Sequence, residues 1–261
     1  MSKTSYYFSG DKDARADYAI AHTEEMNNKY SNEIKYSVDN TICYDGFNES
    51  TEHIPATNIL VADTDSVSAI KVFNTGRTAV LNFASYKNPG GMFINGSKAQ
   101  EECLCASSFL YNVLLGFDDT YYEYNRKNLN RGLYKDRALY SPDVYFFIDD
   151  TIKKADVITC AAPNAGTFLR YNPGDENKRL NYNTLYSRIR FILNIAEVNR
   201  VDNLILGAYG CGVFGQDPKV VANIFKELLQ IYYFNNVVFA VPAGFHSDNY
   251  EAFKSVFVEG D

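Results

Sequence analysis

The stretch Asn82-Phe-Ala-Ser-Tyr-Lys-Asn-Pro-Gly-Gly-Met-Phe-Ile-Asn-Gly-Ser-Lys-Ala-Gln-Glu-Glu102 decides how this chain reads. It begins at the end of an apolar run, Ala79 to Phe83, with the composition of a strand. Two adjacent glycines follow, Gly90 and Gly91, and a helix is expected to start near Lys98. Glycines permit positive φ angles and close approach of the backbone to a ligand. A helix start adds free N–H groups and a positive partial charge. At the carboxyl end of a strand in an open α/β sheet, these features suit a phosphate or diphosphate.

The helix behind the glycines has a structural reading and a chemical one. Ser97-Lys-Ala-Gln100 matches a capping box, and acids in a first turn complement the helix dipole. On that reading Glu101 and Glu102 serve the helix alone. At about 100° per residue, Ala99, Cys103, Ala106, Leu110 and Val113 form one buried stripe in a helix from Lys98 to Leu115. Glu102 falls on the edge of the stripe and Glu101 points away from it. A carboxyl group at an apolar edge loses water, which raises its pKa toward what a general acid needs near neutral pH.

Working outward, Asp11 to Tyr30 reads as a helix and Ser31 to Ala56 as irregular. Strands are expected at 58–61, 79–83, 144–148, 157–161, 204–208 and 237–241. Helices fall at 66–73, 185–198, 218–232 and 249–257, and 116–142 reads as a polar, Tyr-rich insertion. Strands alternating with helices predict an α/β fold with a mixed, largely parallel sheet covered on both faces. There is no internal repeat.

The 261 residues, 46% of them hydrophobic, suffice for a full core. The first ten residues lack the apolar run of a signal peptide, and no stretch approaches a membrane span. The expectation is therefore a cytoplasmic protein with no membrane partner, and the nucleus remains compatible. Five cysteines at uneven spacing fit reduced thiols. A net charge of −7 argues against sequence-specific nucleic-acid binding, so an anionic ligand must be held locally by backbone amides. His22, His53 and His246 are scattered, and Cys103 and Cys105 lack a second pair at zinc spacing, so no metal is expected. Cys211 has no base beside it in sequence. Arg126, Arg188 and Arg190 read as solvated positions.

Gly210-Cys-Gly-Val-Phe-Gly215 spells a G-x-G-x-x-G loop between a strand and a helix. A dinucleotide fingerprint has this form. The next strand, however, ends Val241-Pro-Ala-Gly244 without the acidic residue that holds a ribose, and too little chain remains for a βαβαβ half. A plain strand-to-helix turn and a second phosphate loop are the other readings.

Gly-Gly-X, about eight residues and Gln-Glu-Glu together resemble the signature of microbial-type poly(ADP-ribose) glycohydrolases, which are built on a macrodomain core. The resemblance extends to Val80-Leu-Asn-Phe-Ala-Ser85, Glu102-Cys-Leu-Cys-Ala-Ser-Ser-Phe-Leu-Tyr111, Thr159-Cys-Ala-Ala-Pro-Asn164 and Leu206-Gly-Ala-Tyr-Gly-Cys-Gly-Val-Phe-Gly215, in order. It implies a three-layer α/β/α macrodomain-like domain over 57–261, with residues 1–56 as an N-terminal extension packed on it. Apart from the resemblance, residues 11–56 are expected to fold over the pocket mouth. The resemblance implies Glu102 as the catalytic acid, Glu101 as its neighbour, and Gln100, Gly90 and Gly91 around the diphosphate and distal ribose. Gly210, Cys211, Gly212 and Val213 would grip the diphosphate through their backbone, with Phe214 against the ligand. Asn82 and Asn88 are candidates for ribose hydroxyls. No cofactor is implied. The partners would be ADP-ribose, its polymer and ADP-ribosylated proteins. Met92 departs from the family's usual third glycine. A non-catalytic ADP-ribose reader, a mono-ADP-ribosyl hydrolase and an NAD-type oxidoreductase are the alternatives.

Overall fold

Apolar runs buried along most of their length build the centre of a seven-stranded sheet. The computed structural model describes residues 10–48, 57–73, 75–244 and 248–258. Its strands are β1 (Ile42–Tyr44), β2 (Asn58–Ala62), β3 (Thr78–Phe83), β4 (Ala138–Ile148), β5 (Thr151–Cys160), β6 (Asn203–Leu206) and β7 (Asn236–Ala240). Their order is β1-β4-β5-β3-β6-β7-β2. The block β5-β3-β6-β7-β2 is parallel, while β4 runs antiparallel to both β1 and β5. In central β3, Ala79 and Leu81 enter one core and Val80 the other, so both faces are buried. A run without polar alternation is what a doubly covered parallel strand requires.

The helices, in chain order, are α1 (Lys12–Lys29), α2 (Ser31–Asp39), α3 (Ser66–Val72), α4 (Gln100–Ala106), α5 (Leu110–Leu114), α6 (Glu123–Lys127), α7 (Ala165–Tyr171), α8 (Asp175–Val198), α9 (Pro218–Leu228) and α10 (Asp248–Phe257). One face carries α8, α9 and α10 through Leu185, Ile189, Phe225 and Phe253. The other carries α1, α3, α4 and α5 through Met26, Ile70, Leu104 and Val113. The layering is α/β/α, as expected.

Several expectations need correction. Ser31–Asp39 is helical and Ile42–Tyr44 is the sheet's edge strand, so the part of 31–56 that is described is not irregular. The remainder of that segment, 49–56, lies outside the described residues. The single helix expected from Lys98 to Leu115 breaks after Ala106. Ser107 O accepts Phe147 N–H at 2.7 Å and Ser108 bridges Phe146. The Ser108 hydroxyl donates to Leu104 O at 2.7 Å and accepts Leu110 N–H at 3.0 Å, which replaces helical bonds. The segment 116–142 is not peripheral: Tyr121 and Tyr122 are fully buried, and β4 begins at Ala138. Pro142-Asp143 forms a bulge within β4, with Asp143 at φ 54°. Helix α8 starts ten residues before Leu185, because its first half is polar and exposed on much of its surface.

The parallel block puts the loops after β3, β5, β6 and β7 at one edge of the sheet. Because β3 and β6 are neighbours, the two glycine loops lie side by side. The antiparallel β4 starts opposite the end of β5, Ala138 beside Cys160, so the chain just before β4 reaches the same edge.

Candidate active site

Gln100 and Glu101 staple the start of α4 to the end of β3, and Glu102 ties it to the first glycine loop. Gln100 Oε1 accepts Phe83 N–H at 2.9 Å, and its Nε2 donates to Leu81 O at 2.8 Å and Ser66 Oγ at 3.1 Å. Glu101 accepts from Asn82 Nδ2 at 3.1 Å and from Ser85 N–H at 2.7 Å. Glu102 accepts from Met92 N–H at 2.9 Å and from Ala99 N–H at 2.9 Å. The helix cap is thus Ala99 with Glu102 reaching back, not Ser97 with Gln100.

The first glycine loop closes over these carboxyl groups. Gly90 and Gly91 have φ of 60° and 63°. A Cβ on Gly91 would lie 2.5 Å from Glu102 Oε1 and 2.9 Å from Glu101 Oε2, so both oxygens face the bare Cα. A Cβ on Gly90 would strike Tyr111 at 2.6 Å. Met92 has φ −115°, an ordinary value, so the third loop position does not require glycine in this chain. Its side chain is 45% exposed and its Sδ lies 3.8 Å from Asn88 Nδ2.

The buried stripe inferred from helical periodicity is not the one observed. Ala99 is exposed and Cys103 half-buried, whereas Glu101 is 3% exposed and Glu102 6%. The stripe failed because the helix ends at Ala106 and its first turn faces the loop. Burial raises the carboxyl group of Glu101, the residue that the stripe placed away from the apolar face. Desolvation pushes it up to about 8, the Ser85 and Asn82 N–H groups pull it down, and the charge of Glu102 adds to the rise.

The second loop follows β6. Gly210 has φ 77° and packs against Ala162 and Gln216, where a Cβ would sit at 2.9 and 3.0 Å. Gly212 has open space around it and Val213 is 93% exposed. Phe214 O accepts Gly166 N–H at 3.0 Å, tying the loop to the start of α7. Burial, with Asp217 adding, pushes the Cys211 thiol up to about 12, which disfavours a thiolate nucleophile.

A cavity of about 460 Å³ runs along this edge. Of the residues singled out in the sequence, Gln100, Gly210, Gly212, Val213 and Phe214 line it. Gly90, Gly91, Asn88 and Cys211 do not. Glu101 and Glu102 are not lining residues, and Glu102 accepts from the lining residue Ala99. Asn82 is fully buried and holds Glu101 from beneath, away from the cavity surface. Sequence reading missed Ser66, Lys98, Cys103, Pro242 and Asn249 in the lining. Cys103 is a wall residue, not core, and burial raises its thiol to about 12. The Ser66 contact had a signal in the Asp65-Ser66 helix start; the others come from unrelated chain segments.

One arginine expected to be solvated is not: Arg188 is buried and pairs with Asp136 at 2.6 Å, while Arg126 is exposed, grips Asp118 and donates to Lys87 O at 2.8 Å. No residue of 10–48 lines the cavity. Among the described residues, no group of three His, Cys, Asp or Glu side chains converges as a metal site. His53 and His246 lie outside the described residues.

This is the architecture of a macrodomain-like α/β protein with two backbone loops and a glutamate pair at the strand ends. The chain belongs to the microbial-type poly(ADP-ribose) glycohydrolase family: the microbial-type PARG catalytic domain matches residues 13–149. It is similar to the poly(ADP-ribose) glycohydrolase of Thermomonospora curvata, at 30% identity over 94% of this chain and 99% of that one, with a TM-score of 0.79. The same enzyme bound to the inhibitor ADP-HPD gives 0.78, with the same identity and coverage. The Deinococcus radiodurans enzyme in complex with ADP-ribose is 32% identical over 87% of this chain and 97% of that one, at 0.75. No curated protein sequence matches the chain.

Proposed function

We propose that this chain hydrolyses the ribose–ribose glycosidic bond of poly(ADP-ribose), releasing ADP-ribose from the polymer end, with Glu102 as general acid. The observation that carries this reading is Gly91: its bare Cα faces oxygens of both Glu101 and Glu102, under a loop beside the cavity. In this reading the second glycine loop holds the diphosphate through its backbone and Phe214 packs against the ligand. The distal ribose C1 then lies at Glu102. Glu102 gives its proton to the leaving ribose oxygen as the C1–O bond breaks, and the diphosphate stabilises the positive charge developing at C1. The resulting carboxylate takes a proton from water, whose oxygen bonds to C1, and the acid is restored. Water is the sole co-reactant. Glu101, Gln100 and Asn82 are positioning residues: Gln100 and Glu101 tie the helix start to β3 and the residues just after it, and Asn82 holds Glu101. Asn88 and Cys211 have no assigned ligand contact in this scheme.

The polymer's protein carriers are the macromolecular partners this reading implies. No described helix is long and apolar enough to cross a membrane, which accords with a cytoplasmic site of action. Labelled polymer tests the reading. Free ADP-ribose is expected as the main product from the earliest time points. Early oligomers cut from mid-chain would overturn end-on attack, and binding of ADP-ribose without hydrolysis would make the protein a reader.

A further inference from the structure

The short segment before β4 is strained, and the reaction above does not use it. Asn130, Arg131 and Tyr134 have left-handed backbone, with φ of 44°, 58° and 58°. Outside glycine this conformation is sterically costly, and such strain gathers where a fold must place a particular group. Here it is held from outside. Gly132 O accepts Asn164 N–H at 2.8 Å, Leu133 O accepts from Arg188 at 3.3 Å, and Asp136 pairs with the same buried guanidinium.

What the segment places is one ring. Tyr134, 4% exposed, stacks on Tyr86 with centroids 4.4 Å apart and planes 21° apart. On another side it meets Phe214 at 6.2 Å and 54°. Tyr86 belongs to the first glycine loop, next to Ser85, whose N–H holds Glu101. Phe214 belongs to the second loop and lines the cavity. Aromatic contacts have preferred separations, so a wedged ring sets a distance.

We propose that Tyr134 is a positioning residue whose ring fixes the spacing between the two glycine loops. A ligand held on the second loop then presents its reacting carbon at Glu102, under the function proposed above. Without the wedge, binding to the second loop survives and alignment at the carboxyl group is lost. Misplacement of about 1 Å costs as much as two orders of magnitude in rate.

Tyr134→Ala is therefore expected to lower kcat on poly(ADP-ribose) at least tenfold while the Kd for ADP-ribose stays within threefold. Tyr134→Phe, which keeps the ring, should restore kcat to within twofold of wild type. Unchanged kcat in Tyr134→Ala, an equal loss in Tyr134→Phe, or parallel collapse of kcat and affinity would overturn the proposal. If Tyr134→Ala does not fold, Tyr86→Leu removes the stack from the half-buried partner and should show the same selective loss of kcat; wild-type kcat there overturns it. Absence of hydrolysis by the wild type would overturn the functional reading and this proposal with it. An active wild type with unaffected variants overturns the proposal alone.

Discussion

Glu101 and Glu102 are neighbours in the chain and meet different surroundings. The Glu101 oxygens are held by Asn82 and Ser85 at the end of β3, and those of Glu102 by the loop at Met92 and the helix start at Ala99. Gly91 is where the two meet. Gly91→Ala adds a Cβ 2.5 Å from Glu102 Oε1 on a backbone at φ 63°, so both the turn and the carboxyl positions must shift. We expect a loss of roughly 1–3 kcal/mol in stability and a fall in polymer hydrolysis of at least tenfold. A variant with wild-type melting and turnover would show that the loop does not hold the glutamates. Met92→Gly should do the opposite: with φ −115° and an exposed side chain, position 92 constrains nothing by its Cβ. Turnover is expected to hold or rise, at a stability cost of roughly 0.5–1 kcal/mol from added chain entropy. A collapse of turnover would make the methionine an adapted part of the site.

At the scale of elements, the short helix α4 works as a bracket. Its first three side chains make seven hydrogen bonds to residues outside their own turn or at its cap, and they hold Glu101 buried, where desolvation pushes its pKa up to about 8. The folded chain therefore keeps a proton on Glu101 that the unfolded chain releases. That contribution is fully present below the ordinary carboxyl range and is lost as pH rises from about 4.5 to about 8. The loss is up to about 1.4 kcal/mol per pH unit. Urea midpoints of wild type should fall across this window, and Glu101→Gln should flatten the curve. Parallel curves for the two proteins would show that Glu101 does not titrate there. The loop, the glutamates and the strand before them were legible because glycine pairs and first-turn acids act locally. The helix break was not: Ser107 and Ser108 leave α4 for β4, a partner some 40 residues away in sequence. Helical periodicity carried past that break assigned Cys103, a wall residue of the cavity, to the core.

Over the whole molecule, strand order joins what the chain separates. The alternation of apolar runs was enough for a mixed, mostly parallel sheet, and the order β5-β3-β6 brings the loops after all three together. Pockets assembled from distant segments, such as Ser66, Cys103 and Pro242, have no sequence spacing to read. The N-terminal region supports the site from behind. Arg15 donates to Gly96 O at 2.6 Å, and Tyr18 donates to Ala106 O at 2.9 Å, at either end of the segment bearing the glutamates. Arg15→Ala should cost roughly 1–3 kcal/mol while products remain terminal ADP-ribose, since α1 does not line the cavity. A change in product length in that variant would place the N-terminal region at the pocket mouth after all. The central claim is that a single carboxyl group, Glu102, carries the proton to the leaving ribose. The most direct measurement is the rate of ADP-ribose release from labelled polymer by Glu102→Gln, at enzyme concentrations where ADP-ribose binding equals that of wild type. The account predicts a fall of about 10² to 10⁴-fold; release within a few-fold of wild type would contradict it.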